Sequence, residues 1–115
     1  MIQVALPRTQ VLGQLLGLRL HLLALLDGVA GLGRAFAFMA PTFRADPRVA
    51  LVAAADPRAA ARERFAAEFG GRAYETVDEM VRDPGVDAVY VATPHQLHAS
   101  HVALAAGARR HVLVE

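Results

Sequence analysis

Residues 28–36 read Gly-Val-Ala-Gly-Leu-Gly-Arg-Ala-Phe, and the fold of the chain follows from this glycine-rich stretch. An apolar run at 22–26 has the length of a buried strand, and apolar residues at helical spacing follow the glycines. A glycine turn between a strand and a helix can receive the pyrophosphate of a dinucleotide, because the new helix offers free N–H groups to negative charge.

The glycines of this stretch have separate roles in such a site. Gly31 permits the tight turn, and Gly33 lets the backbone approach a pyrophosphate without a Cβ in between. A third glycine or alanine is expected at position 36 for close packing of the helix on the strand, but this residue is Phe36. The match is two glycines of three, and a plain glycine turn is the alternative.

A second apolar run that ends in an acid favours the dinucleotide interpretation. Residues 49–55 have strand length, and Asp56 follows the glycines by about 20 residues. A carboxylate there would accept hydrogen bonds from the adenosine ribose hydroxyls and would repel the 2′-phosphate of NADP, which favours NAD. Arg58 could weaken this preference for NAD over NADP, because a guanidinium can bind a phosphate. The alternative is a surface aspartate in an Asp-Pro turn.

Composition limits the class of protein. The chain has 115 residues and is 55% hydrophobic, which is enough for one compact domain and too little for two. Its net charge of +1 gives no electrostatic reason to expect a nucleic-acid partner. The absence of cysteine excludes disulfides and thiolate metal sites, and it is compatible with a cytoplasmic location.

The N-terminal residues are the least regular part of the sequence. Residues 11–26 are mostly apolar, but the run is too short and too often interrupted to span a bilayer. A secretory cleavage site would fall near Ala30 and would cut through the glycine turn. We therefore expect no membrane anchor, an apolar extension at 1–26 that packs on the domain or frays, and a dinucleotide-binding domain, itself incomplete, at 27–115.

Asp27 is an anomaly in the first predicted strand, at 22–30. An unpaired carboxylate in a central parallel strand costs on the order of several kcal/mol or must be protonated. Asp27 either lies inside the strand or marks its start, which would leave only 28–30 in the sheet. In both cases the sequence predicts a compromised first strand.

Strand and helix patterns alternate through the rest of the chain. Strands are expected at 22–30, 49–55, 72–74, 86–93 and 111–114, and helices from Gly33, from Pro57 to Gly70, after a capping box of Thr76 and Glu79, and at 96–106. Pro41 is expected to kink or end the first helix. The alternation predicts an α/β domain, a Rossmann-type doubly wound parallel sheet in the order 3-2-1-4-5, with the binding crevice between strands one and four.

The sequence from 28 to 115 resembles the N-terminal domain of the Gfo/Idh/MocA family of nicotinamide-dependent oxidoreductases. The resemblance rests on 28–36, on 52–57, and above all on 87–98 with 111–115. The last pair is the most specific, since a strand, Thr-Pro, a histidine four residues after the proline and a later His-Val-x-x-Glu occur together in few other folds. The sequence of residues 93–98 is also similar to the corresponding sequence of family members that act as dihydrodiol dehydrogenases of phthalate breakdown.

The resemblance implies an NAD cofactor, with NADP possible, and a role for particular residues. The implied cofactor-binding residues are Gly31, Leu32, Gly33, Arg34 and Ala35 at the pyrophosphate turn, Asp56 and Arg58 at the adenosine ribose, Thr93, Pro94 and His98 at the nicotinamide ribose, and Glu115 in the family's Glu-Lys-Pro motif. The lysine of that motif is usually assigned to proton transfer, and this sequence contains no lysine.

The family also has a C-terminal α/β domain, which holds the substrate and forms the sheet through which relatives form dimers. We therefore expect a truncated, dinucleotide-binding chain that is not a competent oxidoreductase by itself, because neither the substrate pocket nor the proton donor is in the sequence. We expect oligomers of relatives to form through that C-terminal domain.

Two other hypotheses stay open. The chain could be a non-catalytic nucleotide- or partner-binding module whose fifth strand and apolar extension pair with another chain, or a domain that does not fold alone. His95, His98 and His101 recur every third residue, but a metal site is disfavoured because no carboxylate lies close by in sequence and cysteine is absent. The alternative for His98 is a hydrogen-bonded helix residue outside the cofactor cleft.

Overall fold

The computed structural model describes residues 24–114. The strands are β1 (Leu25–Ala30), β2 (Val49–Ala55), β3 (Arg72–Tyr74), β4 (Ala88–Val91) and β5 (His111–Val114), and the helices are α1 (Arg34–Ala45), α2 (Ala59–Phe69), α3 (Val77–Val81) and α4 (His98–Gly107), the last preceded by a 3-10 turn at His95–Leu97. The extension predicted at 1–26 lies outside the described residues except for 24–26, and Glu115 also lies outside them.

The five strands form one parallel sheet in the order β3-β2-β1-β4-β5, which confirms the predicted Rossmann-type topology. β1 is central, since Val29 pairs with Ala54 of β2 on one side and with Tyr90 of β4 on the other. The direction of the connections reverses between β1 and β4, so the sheet opens a crevice at the carboxyl ends of these strands. Within 24–114, no helix is both long and apolar enough to cross a membrane.

The core lies on both faces of the sheet. On one face Val29 and Tyr90 pack with the aromatic residues of α1 and α2, and on the other Met80 of α3 packs with Val89 and Val91. Phe36 stands where a small residue was expected. Its ring lies 6.3 Å from that of Phe65 and 5.9 Å from that of Phe69, centroid to centroid, so the position accommodates a large side chain among the rings of α2.

Two helix boundaries differ from a helix end at Pro41 and a helix start at Pro57. α1 does not end at Pro41 but continues to Ala45, because proline removes only one backbone donor and the turn beyond it buries Phe43 against the sheet. α2 begins at Ala59 and not at Pro57. The backbone N–H of Arg58 donates to the Asp56 carboxylate at 2.8 Å, which keeps this residue out of the helix. The capping box of Thr76 and Glu79 is confirmed.

Asp27 lies inside β1, so it does not mark the start of the strand. It pairs with Leu51 of β2 and Ala88 of β4, and the register between β1 and β2 shifts directly after it. Its side chain is buried, and burial raises the pKa of the Asp27 carboxyl well above its usual value, although the backbone N–H of Gly28 opposes the shift. The sheet therefore tolerates the anomaly by irregular pairing and by favouring the neutral acid.

Candidate cofactor site

A cleft of about 720 Å³ opens at the carboxyl ends of β1, β2 and β4, which is the size of a small-molecule site. It is lined by Gly31, Gly33, Arg34, Ala35, Ala55, Asp56, Pro57, Arg58, Glu75, Thr76, Val77, Ala92, Thr93, Pro94, Leu97 and His101. The structure thus brings together eight of the eleven residues that the sequence predicted for the site. Leu32 and His98 contact this lining through hydrogen bonds, and Glu115 lies outside the described residues.

Gly31 makes the turn after β1. Its φ is +93°, a conformation that residues with a Cβ rarely adopt, and its N–H donates to the carbonyl of Ala55 at 2.9 Å. A Cβ on Gly31 would lie 2.9 Å from Cγ2 of Thr93 and 3.0 Å from the carbonyl carbon of Ala92. Glycine is therefore required here by the fold itself, as the prediction of a tight turn implied.

Gly33 serves a different purpose. It is the residue before α1 and has an extended backbone, and a Cβ built on it would meet only Nη2 of Arg58, at 4.0 Å. Within residues 24–114 no side chain caps α1, and its first turn has no acidic residue. The N–H groups of that turn and the positive end of the helix dipole consequently face the cleft with no side chain capping them.

Asp56 connects the end of β2 to the glycine turn. Its Oδ2 accepts the N–H of Leu32 at 3.0 Å and Nη2 of Arg58 at 3.1 Å. Its Oδ1 accepts the backbone N–H and Nε of Arg58 at 2.8 and 3.0 Å. Burial acts to raise the pKa of Asp56, but the hydrogen bonds from Arg58 and Leu32 outweigh it and hold the pKa below its usual value. The carboxylate is ionised at neutral pH, with both oxygens engaged.

Two histidines hold the turn after β4. The carbonyl of Thr93 accepts Nε2–H of His98 at 2.8 Å, and Oγ1 of Thr93 lies 2.8 Å from Nδ1 of His101. His98 is not one of the residues that line the cleft, whereas His101 is. The ring of His95 lies 5.0 Å from that of His98, but among the described residues no three His, Cys, Asp or Glu side chains converge as metal ligands.

Sequence reasoning missed some of the lining. Glu75, Thr76 and Val77 reach the cleft because β3 lies beside β2, so the segment after β3 lies at the same edge of the sheet. The predicted strand order contained that signal. Leu97 and His101 are four residues apart, a spacing that puts two side chains on one helical face. From that spacing, both side chains could have been predicted to lie near the turn at Thr93.

The sequence and the fold were compared with known proteins. Residues 26–115 match the family model of the GFO/IDH/MocA oxidoreductase family, NAD-binding Rossmann fold. The 1-carboxy-3-chloro-3,4-dihydroxycyclohexa-1,5-diene dehydrogenase of Comamonas testosteroni is 46% identical over 89 residues, which are 76% of this chain and 22% of that protein.

Solved structures share the fold. Scyllo-inositol dehydrogenase from Lactobacillus casei, with bound NAD(H) and scyllo-inositol, gives a TM-score of 0.74 at 27% identity over 79% of this chain and 27% of its own. A 3-ketoreductase from Actinomadura kijaniata, in complex with NADP and TDP-benzene, gives 0.73 at 33% identity over 79% and 28%. The chain thus spans roughly a quarter of the length of these relatives and covers their N-terminal part.

These findings confirm the resemblance drawn from 28–36, 52–57 and 87–98. The model match covers most of the chain, and the structural neighbours hold NAD(H) or NADP on the same fold. On this evidence the chain belongs to the Gfo/Idh/MocA family of oxidoreductases and contains its NAD-binding Rossmann domain.

Proposed function

We propose that residues 27–115 act as a dinucleotide-binding domain that binds NAD(H), and NADP(H) more weakly, in the cleft between the glycine turn, Asp56 and Thr93. The observation that carries this proposal is the hydrogen bond from Leu32 to Asp56, at 3.0 Å. It puts the expected ribose acceptor directly beside the expected pyrophosphate turn, within one cleft.

The pyrophosphate would lie on the first turn of α1. Gly33 leaves the space for it, since a Cβ there meets nothing nearer than 4.0 Å. The backbone N–H groups at Arg34 and Ala35 are oriented along the helix axis toward that space, and the exposed Arg34 side chain adds a positive charge. The donor set therefore fits a doubly charged bridging group.

The adenosine ribose would bind Asp56 in exchange for Arg58. Each Asp56 oxygen already accepts two hydrogen bonds, and the Arg58 side chain supplies one of the two on each oxygen. Its side chain is 58% exposed, so it can leave the carboxylate when ribose hydroxyls arrive. The displaced guanidinium would then stand near the 2′ position, which is why NADP remains a ligand despite the carboxylate.

The nicotinamide ribose would lie against Thr93 and Pro94, with His98 holding the Thr93 carbonyl in place. The role of Glu115 stays a prediction from the family motif. When bound, the cofactor supplies a hydride donor or acceptor at its nicotinamide ring, and this chain's residues bind and orient it. We assign no catalytic residue within residues 27–115.

Three further proposals accompany this function. Hydride transfer to a substrate would require residues from the part of the relatives that this chain does not match. Oligomers of complete relatives would form through that part, and the cellular location would be the cytoplasm. Each concerns the whole protein and goes beyond the dinucleotide domain.

Fluorescence titration of the chain with NADH tests the function. Saturable binding is expected for the wild-type chain and is expected to be lost in Gly33→Val, whose side chain would occupy the pyrophosphate space. Gly107→Val is the matched control, because a Cβ at Gly107 meets nothing within 4 Å and the residue ends α4 away from the cleft lining. Absence of saturable binding in the wild type would contradict the proposal.

A partner-binding module is the second candidate. Leu113 and Val114 of β5 are 42% and 43% exposed, and β5 is an edge of the sheet among the described strands. An exposed apolar edge strand can pair with another chain. The same titration separates the candidates, since only the first requires NADH binding that depends on Gly33.

A further inference from the structure

Thr93 is held at both ends by α4. The helix reaches its backbone carbonyl through Nε2 of His98 and its hydroxyl through Nδ1 of His101, each at 2.8 Å. Thr93 and His101 both line the cofactor cleft, and His101 is half-buried there. The hydroxyl of Thr93, a residue that borders the proposed nicotinamide-ribose position, is thus in contact with a titratable ring that also borders the site.

The direction of the two hydrogen bonds can be worked out from the chemistry of the groups. A carbonyl oxygen only accepts, so Nε2 of His98 carries a hydrogen. The Thr93 hydroxyl can donate or accept, so its direction depends on the tautomer of His101. Burial, and then the charge of His98, lower the pKa of His101, which leaves the ring neutral at pH 7 with one bare nitrogen.

We propose that His101 is a positioning residue for the cofactor: its Nδ1 accepts the Thr93 hydroxyl proton, so that Oγ1 turns its lone pairs to the cleft as a hydrogen-bond acceptor. In this arrangement the hydroxyl proton of Thr93 is bound by Nδ1 of His101. In the opposite tautomer Nδ1 carries a hydrogen and donates to Oγ1, so the hydroxyl proton would have no partner at His101. The inference rests on the proposed function, and it adds the chemistry that the turn recognises.

The recognised group is then a hydrogen-bond donor of the dinucleotide. Near the nicotinamide end two donors have this chemistry, the carboxamide NH2 and the hydroxyls of the nicotinamide ribose. The 3-acetylpyridine analogue of NADH separates them, because it keeps the ribose and lacks the NH2. An effect of His101 that disappears with the analogue identifies the carboxamide, and one that persists identifies the ribose.

The first test compares His101→Leu with His101→Asn by NADH titration. The two side chains have nearly the same size and branching, but only the Oδ1 of asparagine offers an acceptor close to the place of Nδ1. His101→Leu is expected to weaken NADH binding about three- to tenfold, the loss typical of one hydrogen bond, and His101→Asn to stay within about twofold of wild type. Equal affinity for both variants overturns the proposal, whether both equal the wild type or both are weak.

A double-mutant cycle with Thr93→Val checks that the effect passes through the hydroxyl. Valine keeps the shape of threonine and removes the hydroxyl, that is, both the proton that His101 would accept and the oxygen lone pairs that would face the cofactor. If His101 acts through Thr93, the double variant is expected to bind NADH as weakly as the weaker single variant. Losses that simply add overturn the proposal, provided that thermal unfolding shows all variants folded.

The second test needs no cofactor. A ¹⁵N-NMR spectrum of the imidazole rings in the intact chain identifies the tautomer of His101 at neutral pH. The proposal expects a hydrogen on Nε2, and a hydrogen on Nδ1 overturns it. If the wild type binds no NADH, the proposed function fails, and the positioning role of His101 fails with it. The tautomer then still shows whether the Thr93 hydroxyl donates to His101.

Discussion

The Asp56 carboxylate accepts the backbone N–H of Leu32 at 3.0 Å, although the two residues are 24 positions apart in the sequence. This bond joins the loop after β2 to the turn after β1, so the two expected cofactor contacts are fixed relative to each other before any ligand arrives. Preorganisation of this kind reduces the entropy that binding must overcome. In the proposed function, the exposed side chain of Arg58, the other partner of Asp56, is the group that would move when a ribose binds.

Arg58→Gln is expected to shift the choice of cofactor toward NADH. Removing the guanidinium frees the carboxylate for ribose hydroxyls and removes the cation that would meet a 2′-phosphate. We expect the ratio of NADPH to NADH dissociation constants to rise by about tenfold, the effect of one charge-assisted hydrogen bond. Titration with both dinucleotides measures it.

Arg64→Gln is the control for that experiment, because Arg64 is an exposed α2 residue outside the cleft lining and its loss changes the net charge equally. Its cofactor ratio is expected to match the wild type. An Arg58→Gln variant that loses NADH and NADPH affinity in equal proportion would refute the assigned role of Arg58.

Gly31→Ala is expected to destabilise the fold by about 2–4 kcal/mol, because it adds left-handed strain to a close approach of Cβ to Thr93 and Ala92. Denaturant unfolding measures the change. Gly107→Ala provides the contrast: a Cβ there has free space, and alanine in place of a helical glycine is expected to stabilise by about 0.5–1 kcal/mol. Equal unfolding midpoints for Gly31→Ala and wild type would show that the turn is not strained.

The parts of the fold that depend on local spacing could be predicted from the sequence. The glycine turn and the capping box follow from residue types that are close together in the chain. The alternation of strands and helices predicts the strand order, and with it the meeting of Gly31, Asp56 and Thr93 at one edge. Pro41 and Asp27 could not be placed, because burial of Phe43 and pairing of β1 on both sides outweigh local preference.

The missed part of the site depends on contacts between elements. His101 of α4 contacts Thr93 only once the helix packs beside the end of β4. That contact has no signature in one short segment. The sequence therefore identified the residues of the glycine turn and the neighbouring pair Asp56 and Arg58, and it missed His101.

Asp83→Asn is expected to destabilise the chain at neutral pH by about 1–2 kcal/mol. Burial acts to raise the pKa of Asp83, but hydrogen bonds from Arg72, Tyr74 and the N–H of Gly85 outweigh it and lower the pKa to about 2. Because the folded-state pKa is depressed, this stabilisation is present above the unfolded value of 3.8 and is lost as pH falls toward 2.

Unfolding curves between pH 2 and 7 check this, and the difference between Asp83→Asn and wild type is expected to shrink toward the acidic end. Asp78→Asn is a suitable comparison, since Asp78 pairs with Arg82 at the surface, where the two side chains are 48% and 74% exposed. It is expected to cost less than about 0.5 kcal/mol. A difference for Asp83→Asn that stays constant with pH would argue against the ion pair.

Asp27→Asn is expected to show the opposite dependence on pH. Burial raises the pKa of Asp27 in the folded state, so the folded chain binds its proton more tightly than the unfolded chain does. Wild-type stability therefore falls as pH rises above the unfolded value of 3.8 toward the raised folded-state pKa. Asparagine has nearly the same shape and no charge, so the variant lacks this loss.

The quantity to measure is the free energy of unfolding of Asp27→Asn minus that of wild type, at pH 4 and at pH 8. We expect this difference to be larger at pH 8 than at pH 4 by about 1–3 kcal/mol, in favour of the variant. That is the cost of burying an uncompensated polar group, as protein mutations measure it. Glu63→Gln, which replaces an exposed carboxylate on α2, is the control for the change from a carboxylate to an amide. If Asp27→Asn behaves like Glu63→Gln, then the central strand does not hold a neutral acid, and its irregular pairing with β2 needs another cause.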